Sequence, residues 1–357
     1  MQRRTYNNRM LLRSARWPCA LMVSIPLLVG GALPDAEYES GKQAAARGDY
    51  AAAFDAWQPL AESGDARAQY SLGVMFEQGL GLERDWPQAM YWYLKAANQN
   101  DRAAQFNLGN MFRDGRGAPA DDEEAVRWYQ RAAEAGHARA QVNLGYMYAA
   151  GKGVPRDQAL ALRWYRAAAD QGEALALHNL GGAYLNGLGV QADANKAESF
   201  FRQAAEKGSA DAQHALGMWY RDGRGGEAND AEAVKWLRLA ADQGHARAEH
   251  HLGTMFGLGR GVEQDHQQAV YWYARAARQN LVPAQELMCT SYALGRGVEK
   301  DVVKAYAWCE VAVANGSKDA QEVRAHLLPS MTSEQVRQAG EVAAVLTRDY
   351  IKAPRDR

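Results

Sequence analysis

Apolar residues recur along this chain with a fixed period of 36 residues. The phrase AQYSLGVMFEQGLG begins at Ala68, AQFNLGNMFRDGRG at Ala104, and AQVNLGYMYAAGKG at Ala140. One leucine of the phrase is kept in six successive units, and Met288 continues the series in a seventh: Leu72, Leu108, Leu144, Leu180, Leu216 and Leu252. A fixed period of about 20–50 residues is the sequence signature of a repeat protein.

The first half of each unit predicts an amphipathic helix, which we call helix A. In the first unit Ala68, Leu72 and Met75 are spaced i, i+4 and i+7, which places them on one helical face. Gly79 and Gly81 follow, and glycine commonly ends a helix by adopting a left-handed conformation. Helix A is therefore expected to end where the chain turns.

The second half of each unit predicts helix B, and both of its ends are specified. Seven residues of N-cap type precede it: Asp85, Asp121, Asp157, Asp193, Asn229, Asp265 and Asp301. Seven residues that tolerate positive φ follow it: Asn100, Gly136, Gly172, Gly208, Gly244, Asn280 and Gly316. Each unit is therefore predicted to be an antiparallel helical hairpin.

Small and large residues also recur between the two helices. Gly73 recurs in the middle of helix A of six units, where glycine costs about 1 kcal/mol relative to alanine. Helix B carries an equally small residue, Ala89 in the first unit, so we expect helix A and helix B to approach closely there. Aromatic pairs beside the alanine supply bulk: Trp92-Tyr93, Trp128-Tyr129, Trp164-Tyr165, Phe200-Phe201 and Trp272-Tyr273.

A single hairpin of this kind cannot bury its apolar side, but stacked hairpins can, so the predicted fold is an all-α solenoid. We assign residues 66–317 to seven repeats, 34–65 to N-terminal capping helices and 318–357 to C-terminal capping helices. Thr332 and Gln335 are placed to form a capping box for a last helix near 333–350.

The repeats resemble those of the Sel-like repeat family, a subclass of the tetratricopeptide-like solenoids. The residues that carry the resemblance are the LG pairs, the G-x-G turns, the Asp caps and the WY-x-x-AA segments, and they span roughly residues 40–325. The resemblance implies a right-handed superhelix of hairpins that acts as an adaptor or scaffold, often in exported bacterial proteins. It does not identify a partner.

Composition and charge narrow the class of partner and the location. The 41 basic and 42 acidic residues give no reason to expect nucleic acid. Residues 1–33 combine five arginines, no acidic residue and the apolar run ALMVSIPLLVGGAL, which is typical of a signal peptide, with an uncleaved anchor as the alternative. Without that segment no membrane span is predicted, and the mature chain is expected to be periplasmic or secreted.

The sequence contains no recognisable catalytic signature. It has no G-x-S-x-G, S-x-x-K, H-E-x-x-H or Walker motif, and its G-x-G turns follow helices rather than strands. We therefore predict a non-enzymatic protein without a cofactor, whose partner is a protein or peptide. The alternative is a cell-wall or β-lactam hydrolase, which the resemblance suggests through cysteine-rich relatives with a cysteine pair in each repeat. This chain has a pair in only one repeat.

That pair, Cys289 and Cys309, has two interpretations. An oxidising compartment would allow a disulfide. In an antiparallel hairpin, however, the residue opposite Cys289 should lie near Ala305, one turn from Cys309, and a disulfide needs Cα atoms within about 7 Å. We therefore expect two buried free thiols, with the disulfide as the alternative.

One position of helix A carries histidine in three successive units: His178, His214 and His250. It lies about 200° round the helix from the buried leucine, so it is expected to point away from the hairpin core and line a concave groove. That groove would be aromatic at Tyr70, Phe106 and Tyr146, and would change its charge near pH 6.5 at the histidines. Solvated polar residues are the alternative. No metal site is expected, because helices pack about 8–10 Å apart.

The GHARA segments around His137 and His245 lie between units. We expect both histidines to lie on turn surfaces.

Overall fold

The computed structural model describes residues 34–350, so the predicted signal segment 1–33 lies outside the described residues. Within 34–350 the protein is entirely helical, without a strand. The helices are α1 (Pro34–Ala46), α2 (Tyr50–Ser63), α3 (Ala66–Gln78), α4 (Trp86–Asn98), α5 (Arg102–Asp114), α6 (Asp122–Glu134), α7 (Ala138–Ala150), α8 (Gln158–Asp170), α9 (Ala174–Asn186), α10 (Ala194–Glu206), α11 (Ala210–Arg221), α12 (Asp230–Asp242), α13 (Ala246–Leu258), α14 (His266–Ala277), α15 (Val282–Leu294), α16 (Val302–Ala314), α17 (Lys318–Leu327) and α18 (Ser333–Val345). Helices α3 and α4 are helix A and helix B of repeat 1, and α15 and α16 are those of repeat 7.

The predicted ends of helix B are confirmed in all seven repeats. The Asp85 side chain accepts a hydrogen bond from the backbone N–H of Gln88 at 2.9 Å, and the six equivalent residues cap their helices in the same way. At the other end Asn100 and Asn280 have φ of 67° and 63°, and glycine occupies the five equivalent positions with positive φ. These local signals define each hairpin before any packing is considered.

The mid-helix glycine of helix A packs against an aromatic ring of helix B in five repeats, and Gly217 of repeat 5 packs against Leu237. A Cβ atom at Gly73 would lie 2.5 Å from the Tyr93 ring, and one at Gly109 would lie equally close to Tyr129. We call this the glycine–ring contact. We expected helix B to approach the glycine at its alanine, and the structure shows that the ring covers the glycine, although the backbone carbonyl of Ala161 also lies 3.2 Å from the Cβ position of Gly145.

Each hydrophobic core spans a boundary between two repeats. Tyr93 of helix α4 packs in one cluster with Leu108 and Met111 of α5, and Trp128 of α6 closes the same cluster. In the same way, Trp92 of α4 packs in the preceding core, which contains Leu72. Trp92 and Tyr93, which are adjacent on α4, therefore pack in two different cores. For this reason a hairpin buries its apolar side only when another hairpin stacks against it.

Buried glutamines add polar contacts across the same boundaries. Gln69 donates from Nε2 to the carbonyl of Ala61 at 2.9 Å, and Gln99 donates to Oε1 of Gln69 at 2.8 Å. Gln105, Gln141, Gln213 and Gln285 make the equivalent bond to the preceding helix B. The glutamine side chain thus gives a carbonyl in the last turn of helix B a second hydrogen bond, beside the backbone one that Ala61 accepts from the N–H of Gly64 at 3.2 Å.

Replacing Gln213 with alanine should lower the free energy of unfolding by about 1–3 kcal/mol, because two hydrogen bonds are lost, the one to the carbonyl of Ala205 and the one from the amide of Gln243. Urea unfolding followed by circular dichroism measures this. The control is Gln203→Ala, an exposed glutamine whose loss should change stability by less than about 0.5 kcal/mol. Equal effects at the two positions would contradict the structural role of the buried glutamine.

Helices at both ends cover the terminal cores. Gly41 of α1 lies against Trp57 of α2, with a Cβ position 2.5 Å from the indole, so the first hairpin repeats the glycine–ring contact with a shorter turn. Helix α18 packs Ala339 against Tyr306 of α16. The predicted capping box of Thr332 and Gln335 is present.

No helix between residues 34 and 350 is both long and apolar enough to span a membrane.

Candidate functional site

Three successive A helices form a groove. It encloses about 480 Å³ and is lined by residues from repeats 1 to 3, among them Tyr70, Arg102, Phe106, Asn107 and Arg139. The groove therefore combines two aromatic rings with an amide and two guanidinium groups. A larger depression of about 650 Å³ follows the turn at 262–267 and contains no predicted site residue.

The predicted aromatic residues of this face differ in exposure. Tyr70 and Phe106 are half-buried, with ring centroids 5.8 and 6.1 Å from those of Tyr93 and Tyr129. Both line the groove, and each also rests on the ring of the glycine–ring contact instead of pointing fully away from the hairpin core. Tyr146 is 47% exposed, so it is the aromatic residue of the three with most surface available to a partner.

The predicted histidine row is half-buried as well. His178 packs on Phe201 with 5.5 Å between ring centroids, and His250 packs on Tyr273 at 6.2 Å. His214 stacks instead on two other imidazoles. One nitrogen of His178 and one of His214 are shielded from solvent without a hydrogen-bond partner.

Four imidazoles are in contact across the boundary between repeats 5 and 6. The His214 ring of α11 stacks on His245 at 4.7 Å and on His251 at 5.4 Å, and His251 meets His250 edge-on at 4.9 Å. We call these four residues the histidine cluster. Within the described residues no group of three or more His, Cys, Asp or Glu side chains has a geometry that could hold a metal ion.

Burial changes the titration of this row. Desolvation and the neighbouring imidazole of His245 lower the pKa of His214 to about 3, and desolvation and His250 lower the pKa of His251 to about 4. Desolvation also lowers the pKa of His178 and of His250. The expectation of a groove that changes its charge near pH 6.5 is therefore wrong, because burial favours the neutral imidazole.

The histidines between units have a structural role that the sequence analysis missed. Nδ1 of His137 accepts from the backbone N–H of Ala140 at 3.2 Å, and Nδ1 of His245 accepts from that of Ala248 at 3.1 Å. Both residues are N-caps of helix A, and His245 is only 9% exposed. A comparison by repeat position could have found this, because that position elsewhere holds Asp65, Asp101, Ser209 and Ser317.

Cys289 and Cys309 are joined by a disulfide, with Cα atoms 5.2 Å apart. The expectation of free thiols is corrected. The pair occupies the two positions of the glycine–ring contact, since Cys289 takes the place of Gly73 and Cys309 that of Tyr93. Both are fully buried, so the bond replaces the ring that fills this space in other repeats.

The fold and this surface define a class of protein: an α-solenoid whose successive A helices build an extended groove. The Sel1 repeat model matches seven consecutive segments: 66–101, 102–137, 138–173, 174–209, 210–245, 246–281 and 282–317. These matches cover more than half of the chain, which belongs to the Sel1 repeat family.

Two solved structures illustrate the similarity. A Sel1 repeat protein from Oxalobacter formigenes is 30% identical over 82% of this chain and 87% of its own, with a TM-score of 0.69. The c5321 protein, a protective antigen of uropathogenic Escherichia coli with an SLR fold, is 27% identical over 89% of this chain and 85% of its own, with a TM-score of 0.57. No curated protein matches the chain.

Proposed function

We propose that this protein is a non-enzymatic adaptor of the bacterial cell envelope that binds a protein or peptide partner along the concave face formed by its A helices. The observation that carries the proposal is the groove that crosses repeats 1 to 3. Sel1 repeats generally mediate protein interactions, which agrees with it.

The groove chemistry suits an extended polypeptide. Aromatic rings such as Tyr70 and Phe106 offer apolar contact, and the amide of Asn107 can both donate to and accept from a peptide backbone. Helices pack about 8–10 Å apart, and an extended chain rises about 3.3 Å per residue, so about three partner residues would correspond to one repeat.

An envelope location is supported by two features of the chain. Residues 1–33 have the basic and apolar segments of an export signal. The disulfide of repeat 7 suits an oxidising compartment. The hydrolase alternative rested on a cysteine pair in each repeat, and it gains no support from a chain with one such pair.

In the groove variant, alanine replaces Arg139, which lines the groove, and Tyr146, which lies two turns further along the same helix α7. Partner capture from native envelope extract should fall at least tenfold, because both side chains present exposed surface on this A helix. The control is Tyr271→Ala, a tyrosine of helix B with comparable exposure, 52% against 47%. Capture is quantified by mass spectrometry of proteins bound to immobilised wild type and variants.

Two outcomes would argue against the groove. Loss of the same bound protein with Tyr271→Ala, but not with the groove variant, would place the binding surface on the B helices. Loss of circular dichroism signal in the groove variant would show that Tyr146 or Arg139 supports folding, and the single variants would then separate the two residues.

A further inference from the structure

The histidine cluster joins repeat 5 to repeat 6, and two of its contacts, those in which a ring nitrogen accepts a hydrogen bond, exist only when the ring is neutral. Nδ1 of His245 accepts from the N–H of Ala248, and its Nε2 then donates to the Asp211 carboxylate at 3.1 Å. Nδ1 of His251 lies 3.3 Å from Nη1 of Arg221. Since a guanidinium group only donates, that imidazole nitrogen must be the acceptor.

Protonation would therefore break both contacts. A proton on Nδ1 of His245 removes the cap of α13, and a proton on Nδ1 of His251 places an imidazolium against the Arg221 guanidinium. His214 is stacked between these two rings, so its own protonation would add a third positive charge to the same stack. One of its nitrogens is buried without a partner, so no ligand can reach that atom in this arrangement.

Among the surrounding carboxylates, Asp211 would stabilise an imidazolium at His245, whereas Asp222 and Glu249 are already paired with arginines. On α11 and just after it, Asp211 faces His245, and Asp222 is paired with Arg221 at 2.7 Å. On α13, Arg247 adds positive charge near His214, while Glu249 is paired with Arg275 of α14 at 2.8 Å. The other packed elements contribute His178 of α9, Tyr273 of α14 and the apolar Leu237 of α12.

We propose that the histidine cluster is an acid-sensitive joint at which protonation separates repeat 5 from repeat 6 and opens the solenoid. The equivalent joint between repeats 2 and 3 lacks three of the four imidazoles: Phe106 replaces His214 and stacks on His137 at 4.5 Å, Val142 replaces His250, and Asn143 replaces His251. Opening is thus confined to one position along the solenoid. The inference does not depend on the proposed partner binding.

Hydrogen exchange measured at pH 7.5 and pH 5.0, corrected for intrinsic rates, tests the joint in the full chain. Release of one buried neutral imidazole to its ordinary pKa favours the open state by about 30-fold at pH 5. Partial exposure reduces this figure, so protection of α11–α13 should fall at least tenfold at the lower pH. Helices α3 and α4 contain no histidine and should keep their protection.

The double variant H214F/H251N introduces two of the three residues that replace histidines in the joint of repeats 2 and 3, and it should lose most of the pH response. His266→Gln, which removes an exposed histidine of α14, should respond like the wild type. If the double variant does not fold, H251N alone should still show a weaker response. Equal protection of α11–α13 at both pH values in the wild type, or an undiminished response in a folded variant, would overturn the proposal.

Discussion

Replacing Gly181 with leucine is expected to lower the free energy of unfolding by about 3 kcal/mol, whereas leucine at the adjacent Gly182 should raise it slightly. A Cβ atom at Gly181 would lie 2.7 Å from the buried Phe201 ring, so the larger side chain must displace that ring from its core. Overpacking of this kind typically costs about 1–3 kcal/mol, and occasionally more.

Gly182 provides a control within the same helix. A Cβ atom there meets no atom within 4 Å, so leucine gains helix propensity, about 0.8 kcal/mol, without a clash. Urea unfolding of the two variants, followed by circular dichroism, compares them directly. Similar stabilities would mean that the glycine–ring contact does not set the distance between helix A and helix B.

Reduction of the Cys289–Cys309 disulfide is expected to lower the free energy of unfolding by about 3 kcal/mol. The two cysteines are 20 residues apart, and closing a loop of about that length in the unfolded chain gives a stabilisation of this size. The measurement is urea unfolding with and without a phosphine reductant. Mass spectrometry of alkylated protein establishes the oxidation state of each sample.

The variant C289G/C309Y restores the residues that other repeats carry at these two positions. It should fold with stability close to that of the oxidised wild type and should not respond to the reductant, because a ring fills the space instead of the disulfide. An unchanged midpoint for fully reduced wild type would show that packing alone holds repeat 7. A poorly folded C289G/C309Y variant would show that the positions are not interchangeable.

The helices and their ends could be predicted from the sequence because their causes are local. An N-cap such as Asp85 acts on backbone groups within three residues, and Asn100 ends its helix through its own backbone conformation. The 36-residue period then repeats these local signals seven times. Of the six residues predicted for the groove, Tyr70 and Phe106 line the one observed, and the depth at which Tyr70, Phe106 and His214 are buried was not anticipated.

The contacts between helices could not be predicted because side-chain direction matters as much as position along the helix. Helical side chains lean towards the N-terminus, so the ring of Tyr93 covers the level of Ala89, one turn earlier, and meets Gly73. For the cysteines the backbone register itself decides, since the Cα atoms of Cys289 and Cys309 are 5.2 Å apart and Cys309, not Ala305, lies opposite Cys289. Counting residues along the hairpin had predicted Ala89 opposite Gly73 and Ala305 opposite Cys289. Each is one helical turn from the observed partner, Tyr93 or Cys309.

The sequence by itself determined that this protein is a stack of seven helical hairpins, since period, caps and helix stops act over a few residues. Only the tertiary structure decided which rings cover the glycines, that the cysteines are bonded, and that four imidazoles meet between repeats 5 and 6. Those contacts join residues from different helices. The distance and angle at which the helices pack determine which side chains are in contact and which are buried from solvent.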